Sequence, residues 1–95
     1  MFEWDSRKAA ANAEKHGVTF DDAMSVFLDP AGLDGPDLAH SAVEARHLRL
    51  GRAMDGRVLM VAYTLRRGND HAEKVRLISA RRASRRERVA YEAPD

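Results

Sequence analysis

The sequence predicts an α+β domain in the order β-α-α-β-β-β-α, with an antiparallel sheet packed against helices. Three patterns support this fold class. Apolar residues recur at helical spacing in the first third of the chain, and strand-like apolar runs follow in the second half. A capping sequence then begins a final helix. The 95 residues suffice for a single domain, which we place at residues 1–93, with residues 94–95 as a frayed tail.

The first third of the chain predicts a short strand at residues 2–4 and two helices. Asp5 suits the N-cap of a helix over residues 6–16, and Gly17 suits the left-handed position that ends it. A second helix follows, because apolar residues recur at positions i, i+3, i+4, i+7 and i+8. These residues are Phe20, Ala23, Met24, Phe27 and Leu28. The helix ends before Pro30, since the residue that precedes a proline avoids the helical region.

The middle of the chain predicts a loop and two strands. Residues 31–41 contain two glycines, a proline and acidic residues, which indicates a mobile surface loop. Residues 46–50 alternate between apolar and polar, so we expect a strand whose wet face carries His47 and Arg49. Residues 58–65 are apolar on both faces, as is typical of a central strand.

The most basic stretch of the chain spans residues 75–92, which begin as a strand and end as a helix. Ser84 and Glu87 fit a capping box, so the strand should end near residues 80–82 and the helix begin at Ser84. Planar guanidinium groups suit phosphate, and the stretch contains Arg76, Arg81, Arg82, Arg85, Arg86 and Arg88. We therefore expect this corner to contact a nucleic-acid backbone, with RNA favoured.

The charge is divided unevenly along the chain. Residues 1–45 contain three basic and nine acidic side chains, whereas residues 46–95 contain thirteen basic and six acidic ones. This asymmetry indicates a basic working face. The alternative interpretation is that the two halves interleave in space and partly cancel.

Composition excludes several classes of protein. The absence of cysteine rules out disulfides, a thiolate nucleophile and cysteine-bound zinc, and it suits a reducing cytoplasm. The histidines lack the i, i+4 spacing of a helical metal site; they are His16, His40, His47 and His71. No apolar run is long enough to span a membrane, and the N-terminus lacks the apolar segment of a signal peptide. We expect a cytoplasmic protein with no cofactor, no metal and no membrane contact.

Arginines together with a few titratable side chains suit the cleavage of RNA without a metal ion. That reaction needs a base for the 2′-hydroxyl proton, cations for the crowded phosphate and an acid for the leaving oxygen. The catalytic candidates are Arg46, His47, Arg81, Glu87 and Tyr91. The RNA-binding candidates are Lys8, Arg49, Arg82 and Arg88. Three candidates also have a structural interpretation, namely a cap for Glu87, packing on the sheet for Tyr91, and simple exposure for His47.

We expect part of this set to form one joint site. Arg81 and Arg82 lie at the predicted strand end, and Arg88 lies one turn inside the following helix. Arg46 and His47, on a neighbouring strand, would supply the other half of the site.

Motifs along nearly the whole chain are similar to those of a known family. They are Phe2-x-Trp4-Asp5-x-x-Lys8, Asn12, Lys15-His16-Gly17-Val18-x-Phe20, Ala23, Val26-Phe27, Glu44-x-Arg46, Gly51, Ile78-Ser79-Ala80-Arg81-Arg82-Ala83, Glu87-Arg88 and Tyr91. In these motifs the chain resembles the BrnT toxins of type II toxin-antitoxin systems. Only the loop over residues 68–73 departs from the family, because it is longer and more acidic than the usual short hairpin.

The resemblance to BrnT toxins implies a RelE-like ribonuclease fold and growth arrest through RNA cleavage. It implies neutralisation by a BrnA-like antitoxin, with operator DNA bound only through that antitoxin. It also marks Lys8, Arg46, Arg81, Arg82, Glu87 and Arg88 as site candidates. An alternative function stays open, because no convincing acid–base pair is visible in the sequence. In that alternative the chain is a non-catalytic basic module that binds nucleic acid or an acidic protein partner.

Overall fold

The computed structural model describes residues 1–70 and 72–93. Its elements are β1 (Phe2–Glu3), α1 (Ser6–His16), α2 (Phe20–Ser25), β2 (Leu33–Pro36), β3 (His47–Arg52), β4 (Val58–Arg67), β5 (Glu73–Arg82) and α3 (Arg85–Glu92). Short 3-10 turns at Val26–Leu28 and Leu38–His40 follow α2 and β2. The frayed tail expected at residues 94–95 lies outside the described residues, as does His71.

The strands form one sheet in the order β1-β5-β4-β3-β2. Neighbouring strands pair antiparallel except β1 and β5, which run parallel and make the sheet mixed rather than wholly antiparallel. The α+β fold class is confirmed. The strand β4 lies at the centre of the sheet, which explains why its sequence is apolar on both faces.

The prediction of a mobile loop over residues 31–41 is wrong where β2 forms. Leu33–Pro36 pairs antiparallel with β3, and Leu33 lies opposite Leu50. A proline is tolerated here because β2 is an edge strand, where one row of amides needs no partner in the sheet. The strand is stabilised by pairing with residues more than ten positions away. Its own Gly35 and Pro36 are residues typical of loops, so the local sequence does not predict a strand.

Local capping residues set both ends of α1 and the beginning of α2, and both ends of α1 lie where the sequence predicts. The second helix is shorter than predicted, because α2 ends at Ser25 and residues 26–28 form a 3-10 turn. The Asp5 carboxylate accepts the Arg7 amide at 2.8 Å, and Gly17 ends α1 with a φ of 68°. The Thr19 hydroxyl accepts an amide in the first turn of α2. Because the first amides of a helix have no partner within it, these side chains determine where α1 and α2 begin.

The helices α1 and α2 cover one face of the sheet. The buried residues of this helix face are Val18, Phe20, Ala23, Val26, Leu59, Val61, Tyr63, Leu77 and Ala80. Side chains alternate along a strand, so the intervening residues of β4 and their partners lie on the other face. This other face, which we call the open face, carries Leu48, Met60, Ala62, Thr64, Ser79 and Arg81.

A buried side-chain amide joins α1 to the sheet. Asn12 donates to the carbonyl oxygens of Val18 (2.9 Å) and Ala80 (2.8 Å), and its own oxygen accepts the Ala80 amide at 3.0 Å. These bonds satisfy backbone groups of β5 that no other strand reaches at this point. Asn12 therefore fixes the position of α1 relative to β5 and to the segment that leads into α2.

Replacement of Asn12 by alanine should destabilise the fold by about 2 to 4 kcal/mol, because buried backbone groups of Ala80 and Val18 lose their partners. Urea unfolding followed by circular dichroism measures this change. The matched control is Asn69→Ala in an exposed loop, which should change stability by about 0.5 kcal/mol or less. Equal stability of Asn12→Ala and the wild-type protein would show that Asn12 has no such structural role.

Candidate functional site

Two adjoining pockets lie along the open face. The Arg81 pocket has a volume of about 310 Å³ and is lined by Asp37, His40, Arg46, Leu48, Met60, Ala62, Ser79 and Arg81. The Lys8 pocket has a volume of about 570 Å³, and its polar lining comprises Lys8, His40, Glu44, Arg46, Thr64, Arg66 and Arg76. His40 and Arg46 line both pockets, so the two meet at these side chains.

Several elements contribute the cations of the open face. Arg46 immediately precedes β3, Arg81 lies near the end of β5, and Lys8 lies in the first turn of α1. Arg66 and Arg76 are already paired with Glu44 (3.2 Å) and Glu3 (2.8 Å). Within residues 1–70 and 72–93, Lys8 and Arg46 form no ion pair. The charge of Arg46 is therefore available to an anion in either pocket, and that of Lys8 to an anion in the Lys8 pocket.

A buried hydroxyl also lines the Lys8 pocket. The side-chain oxygen of Thr64 is inaccessible and forms no hydrogen bond with any described residue. Thr64 faces Arg76 across the β4–β5 pair, so the hydroxyl lies at the sheet floor beneath the cations. A buried hydroxyl without a hydrogen-bond partner is uncommon in folded proteins.

Two of the predicted RNA-binding arginines lie in a different place. Arg82 and Arg88 line a pocket of about 360 Å³ with Arg52, Arg57 and Glu92. Arg82 pairs with Leu59 of the helix face, whereas Arg81 pairs with Met60 of the open face. Because the side chains of neighbouring strand residues point to opposite faces of the sheet, Arg81 and Arg82 do not belong to the same surface. The structure thus brings Arg46 and Arg81 together, near Lys8, and separates them from Arg82 and Arg88.

Arg81 is held by an ion pair at the corner between β5 and α3. Its two terminal nitrogens donate to the two Glu87 oxygens at 2.7 and 2.9 Å. One of these oxygens also accepts the Ser84 amide at 2.8 Å, and the Ser84 hydroxyl accepts the Glu87 amide at 3.2 Å. The predicted capping box is confirmed. A guanidinium has five N–H donors, so the fixed Arg81 keeps donors for a further anion.

The ion pair decides the protonation state of Glu87. Hydrogen bonding from Arg81 is the main cause that lowers the pKa of Glu87 to about 2, and the Ser84 amide lowers it further. The same pair raises the pKa of Arg81. Glu87 is therefore ionised at neutral pH and binds protons weakly, which makes it unsuitable as a general base or acid. Its observed contacts are those of a cap and of a support for Arg81.

His47 and Arg49 face the helices, so the prediction of a wet strand face is wrong. The His47 ring stacks on Tyr63 with centroids 5.3 Å apart. The Arg49 side chain, only 13% exposed, donates to the carbonyl oxygens of Val26 (2.9 Å) and Asp29 (2.7 Å). Carbonyl groups at the end of a helical turn need donors, which is why a polar side chain points inward here.

Tyr91 contributes to the attachment of α3. Its hydroxyl donates to the Asp29 carboxylate, and this hydrogen bond is the main cause that raises the pKa of Tyr91. The guanidinium of Arg52 lies 5.6 Å from the centre of the Tyr91 ring. These contacts place Tyr91 against β3 and the segment after α2, apart from both pockets of the open face.

The sequence interpretation missed a histidine and an aspartate of the open face. The Nδ1 atom of His40 lies 3.1 and 3.2 Å from the two Asp37 oxygens, and both residues line the Arg81 pocket. Their Asp-x-x-His spacing was the one available signal. This spacing is a weak signal, because it falls within the glycine- and proline-containing segment whose composition predicts a mobile loop.

In residues 1–70 and 72–93, no group of three or more histidine, aspartate or glutamate side chains could hold a metal ion. Across the same ranges, every helix is too short or too polar to cross a membrane.

Comparisons with known proteins found one matching family and a similar solved structure. A family described as "Ribonuclease toxin, BrnT, of type II toxin-antitoxin system" matches residues 4–87. Among solved structures, the chain is similar to the Brucella abortus ribonuclease toxin BrnT, with a TM-score of 0.66 and 28% sequence identity. The similarity covers 90% of this chain and 99% of the Brucella chain. No curated protein sequence matches. The resemblance inferred from the motifs is thereby confirmed.

Replacement of Glu87 by glutamine should give a pH-dependent loss of stability. The folded-state pKa of Glu87 is lowered from 4.5 to about 2, so the unfolded chain binds more protons than the folded one between these values. The stability contributed by this carboxylate is therefore fully present above pH 4.5 and is lost as the pH falls towards 2. Urea unfolding near pH 7 should show Glu87→Gln to be less stable by about 1 to 2 kcal/mol.

The difference in the free energy of unfolding between the wild-type protein and Glu87→Gln should narrow as the pH is lowered from 4.5 to 3. The matched control is Glu14→Gln on the exposed side of α1, which should change the free energy of unfolding at pH 7 by about 0.5 kcal/mol or less. A difference that stays constant over this range would contradict the ionised pair with Arg81.

Proposed function

The chain belongs to the BrnT family of ribonuclease toxins of type II toxin-antitoxin systems, and from this premise we propose that it is a metal-independent endoribonuclease. RNA is cleaved on the open face, in the Arg81 and Lys8 pockets. Cleavage in the cytoplasm arrests growth, and a BrnA-like antitoxin neutralises the toxin.

The observation that carries this proposal is the set of cations around the junction of the two pockets. Arg46 lines both pockets, with Arg81 on one side and Lys8 on the other. An extended RNA strand carries one negative phosphate for each nucleotide, and cations spaced along a groove follow such a backbone. Ser79 adds an accessible hydroxyl group to the lining of the Arg81 pocket. The open face thus offers charge and hydrogen-bonding groups to phosphate and ribose.

The arginines also suit the reaction itself. When the 2′-oxygen attacks the neighbouring phosphorus, negative charge grows on the phosphate oxygens. Arg81 is already oriented by Glu87, so little reorganisation is needed before it stabilises that charge. No step of this reaction requires a metal ion when guanidinium groups neutralise the charge on the phosphate.

The basic open face is also the surface that we expect an antitoxin to cover. A type II toxin has a protein antitoxin as its partner, and the simplest way to block this site is to occupy its cations. We propose that an acidic segment of a BrnA-like antitoxin lies over Arg46 and Arg81. The toxin would contact operator DNA only through that antitoxin.

Purified protein should cleave RNA in the presence of EDTA, and Arg46→Ala should lower kcat about 10²-fold or more, because a cation at the reacting phosphate is lost. Gel analysis of a defined RNA, free and on translating ribosomes, measures cleavage and its products. The control is Arg85→Ala, an exposed arginine of α3 outside both pockets, which should retain wild-type activity.

The outcomes separate the possible functions. Folded wild-type protein that binds RNA in a salt-sensitive manner without cleaving it would support the non-catalytic binding module instead. Cleavage that EDTA abolishes and Mg²⁺ restores would overturn metal independence while leaving the ribonuclease function intact.

In cells, induced expression of the chain should stop growth, and co-expression of a BrnA-like antitoxin should restore it. Arg46→Ala should permit growth at equal protein levels, because the phosphate site is impaired. Colony counts after induction measure the effect, with Arg85→Ala as the toxic control. Unchanged growth on expression of the wild-type protein would contradict the toxin function.

A further inference from the structure

We propose that His40 is the general base of RNA cleavage and that Asp37 holds its imidazole in the reactive tautomer. This inference rests on the proposed ribonuclease function and assigns a proton-transfer group to the open face. His40 would contact the ribose of the substrate as a catalytic residue. Asp37 would act through His40 as a positioning residue.

The hydrogen bonds of His40 define which ring nitrogen is free. Its Nδ1 atom lies 3.1 and 3.2 Å from the two oxygens of the Asp37 carboxylate. A carboxylate only accepts hydrogen bonds, so Nδ1 carries a proton and donates a hydrogen bond to Asp37. In the neutral ring the lone pair then lies on Nε2. The Nε2 atom is consequently the one that can take a proton from a substrate.

Burial differs between the two partners in the way that a catalytic pair requires. The Asp37 side chain is 11% exposed, whereas the His40 side chain is 65% exposed. A substrate can therefore reach the imidazole, while the carboxylate is shielded from water. A shielded carboxylate orients its histidine more firmly than an exposed one, because water competes less for the hydrogen bond.

A short hydrogen-bond network ties this pair to Arg46. The Asp37 amide donates to the Arg46 carbonyl oxygen at 2.8 Å, and the Arg46 amide donates to the Ser41 hydroxyl oxygen at 3.0 Å. The Ser41 hydroxyl in turn donates to the Asp37 carbonyl oxygen at 2.6 Å. These hydrogen bonds hold the backbone of Asp37 next to that of Arg46, so the proposed proton-transfer pair and the arginine keep a fixed spacing of their backbones.

The other titratable candidates do not compete for this role. Glu87 is paired with Arg81, and Tyr91 donates to Asp29 outside both pockets. His47 stacks on Tyr63 on the helix face. Among the residues that the structure describes, His40 is the histidine that lines the open-face pockets. The charged groups that line these pockets with it are Lys8, Asp37, Glu44, Arg46, Arg66, Arg76 and Arg81.

The proposed step is balanced in atoms and charge. Nε2 of His40 removes the 2′-hydroxyl proton, the 2′-oxygen bonds to phosphorus, and the bond from phosphorus to the 5′-oxygen breaks. Water gives a proton to the leaving 5′-oxygen, and the hydroxide formed takes the proton from Nε2. The products are a 2′,3′-cyclic phosphate and a 5′-hydroxyl, and His40 is again neutral. During the step Arg46 and Arg81 face the phosphate.

Replacement of His40 by alanine tests the base directly. We expect kcat to fall about 10²- to 10⁴-fold, since general-base catalysis contributes this much, while KM changes little. Imidazole added to the solution should restore part of the activity of His40→Ala, because it can occupy the vacated space. The matched control is His16→Ala in the last turn of α1, which should keep wild-type kcat. His40→Gln, of similar size, provides a second inactive variant.

The positioning role of Asp37 needs a readout other than activity. In ¹⁵N NMR of the histidine rings, wild-type His40 should carry its proton on Nδ1. Asp37→Asn should shift the ring towards the Nε2 tautomer and lower kcat about tenfold or more. An unchanged tautomer in Asp37→Asn would overturn the role of Asp37.

The outcomes distinguish this inference from the function on which it rests. Wild-type protein that does not cleave RNA would remove the proposed function. If the wild-type protein cleaves RNA, and folded His40→Ala and His40→Gln cleave it with the wild-type kcat, only the assignment of His40 is overturned. A midpoint temperature of thermal unfolding equal to that of the wild-type protein shows that a variant is folded. Loss of activity in His40→Ala that imidazole fails to restore would also overturn the assignment of the base.

Discussion

The hydrogen bonds of Asn12 determine which face of the sheet is available for chemistry. This buried amide binds both backbone groups of Ala80 and the carbonyl oxygen of Val18, so α1 can lie against only one side of β5. The helix face then fills with apolar side chains, and the hydrophobic effect stabilises that arrangement. The opposite face keeps its arginines and hydroxyl groups. A single polar residue in the core thus fixes the side of the sheet on which α1 packs.

The alternation of β5 imposes a second constraint on the cations. Arg81 faces the same side as Met60, and Arg82 faces the same side as Leu59. A run of arginines in the sequence therefore does not form one patch in space. The capping box then selects between them, because Glu87 holds the guanidinium of Arg81 in place at the corner before α3. The same Glu87 carboxylate therefore caps α3 and orients the Arg81 guanidinium.

Local chemistry made much of the fold predictable from sequence. Asp5, Gly17 and the Ser84–Glu87 pair each act within a few residues, so their patterns correctly indicated where helices begin and end. The strand β2 was not predictable, because it depends on pairing with β3 across a gap of residues. The burial of Arg49 was missed for a similar reason. Its partners are the carbonyl oxygens of Val26 and Asp29, which only the folded chain brings near.

The sheet and the segment that carries Asp37 and His40 contribute different groups to the candidate site, and the sequence does not predict those of that segment. Arginines in a strand-to-helix corner are conspicuous, and they supply charge to the open face. Such a corner is a poor place for a proton-transfer group, because a carboxylate next to an arginine remains ionised, as Glu87 does. The segment that carries Asp37 and His40 lines the same pocket as Arg81, and it brings to that pocket a histidine paired with a carboxylate instead of with an arginine.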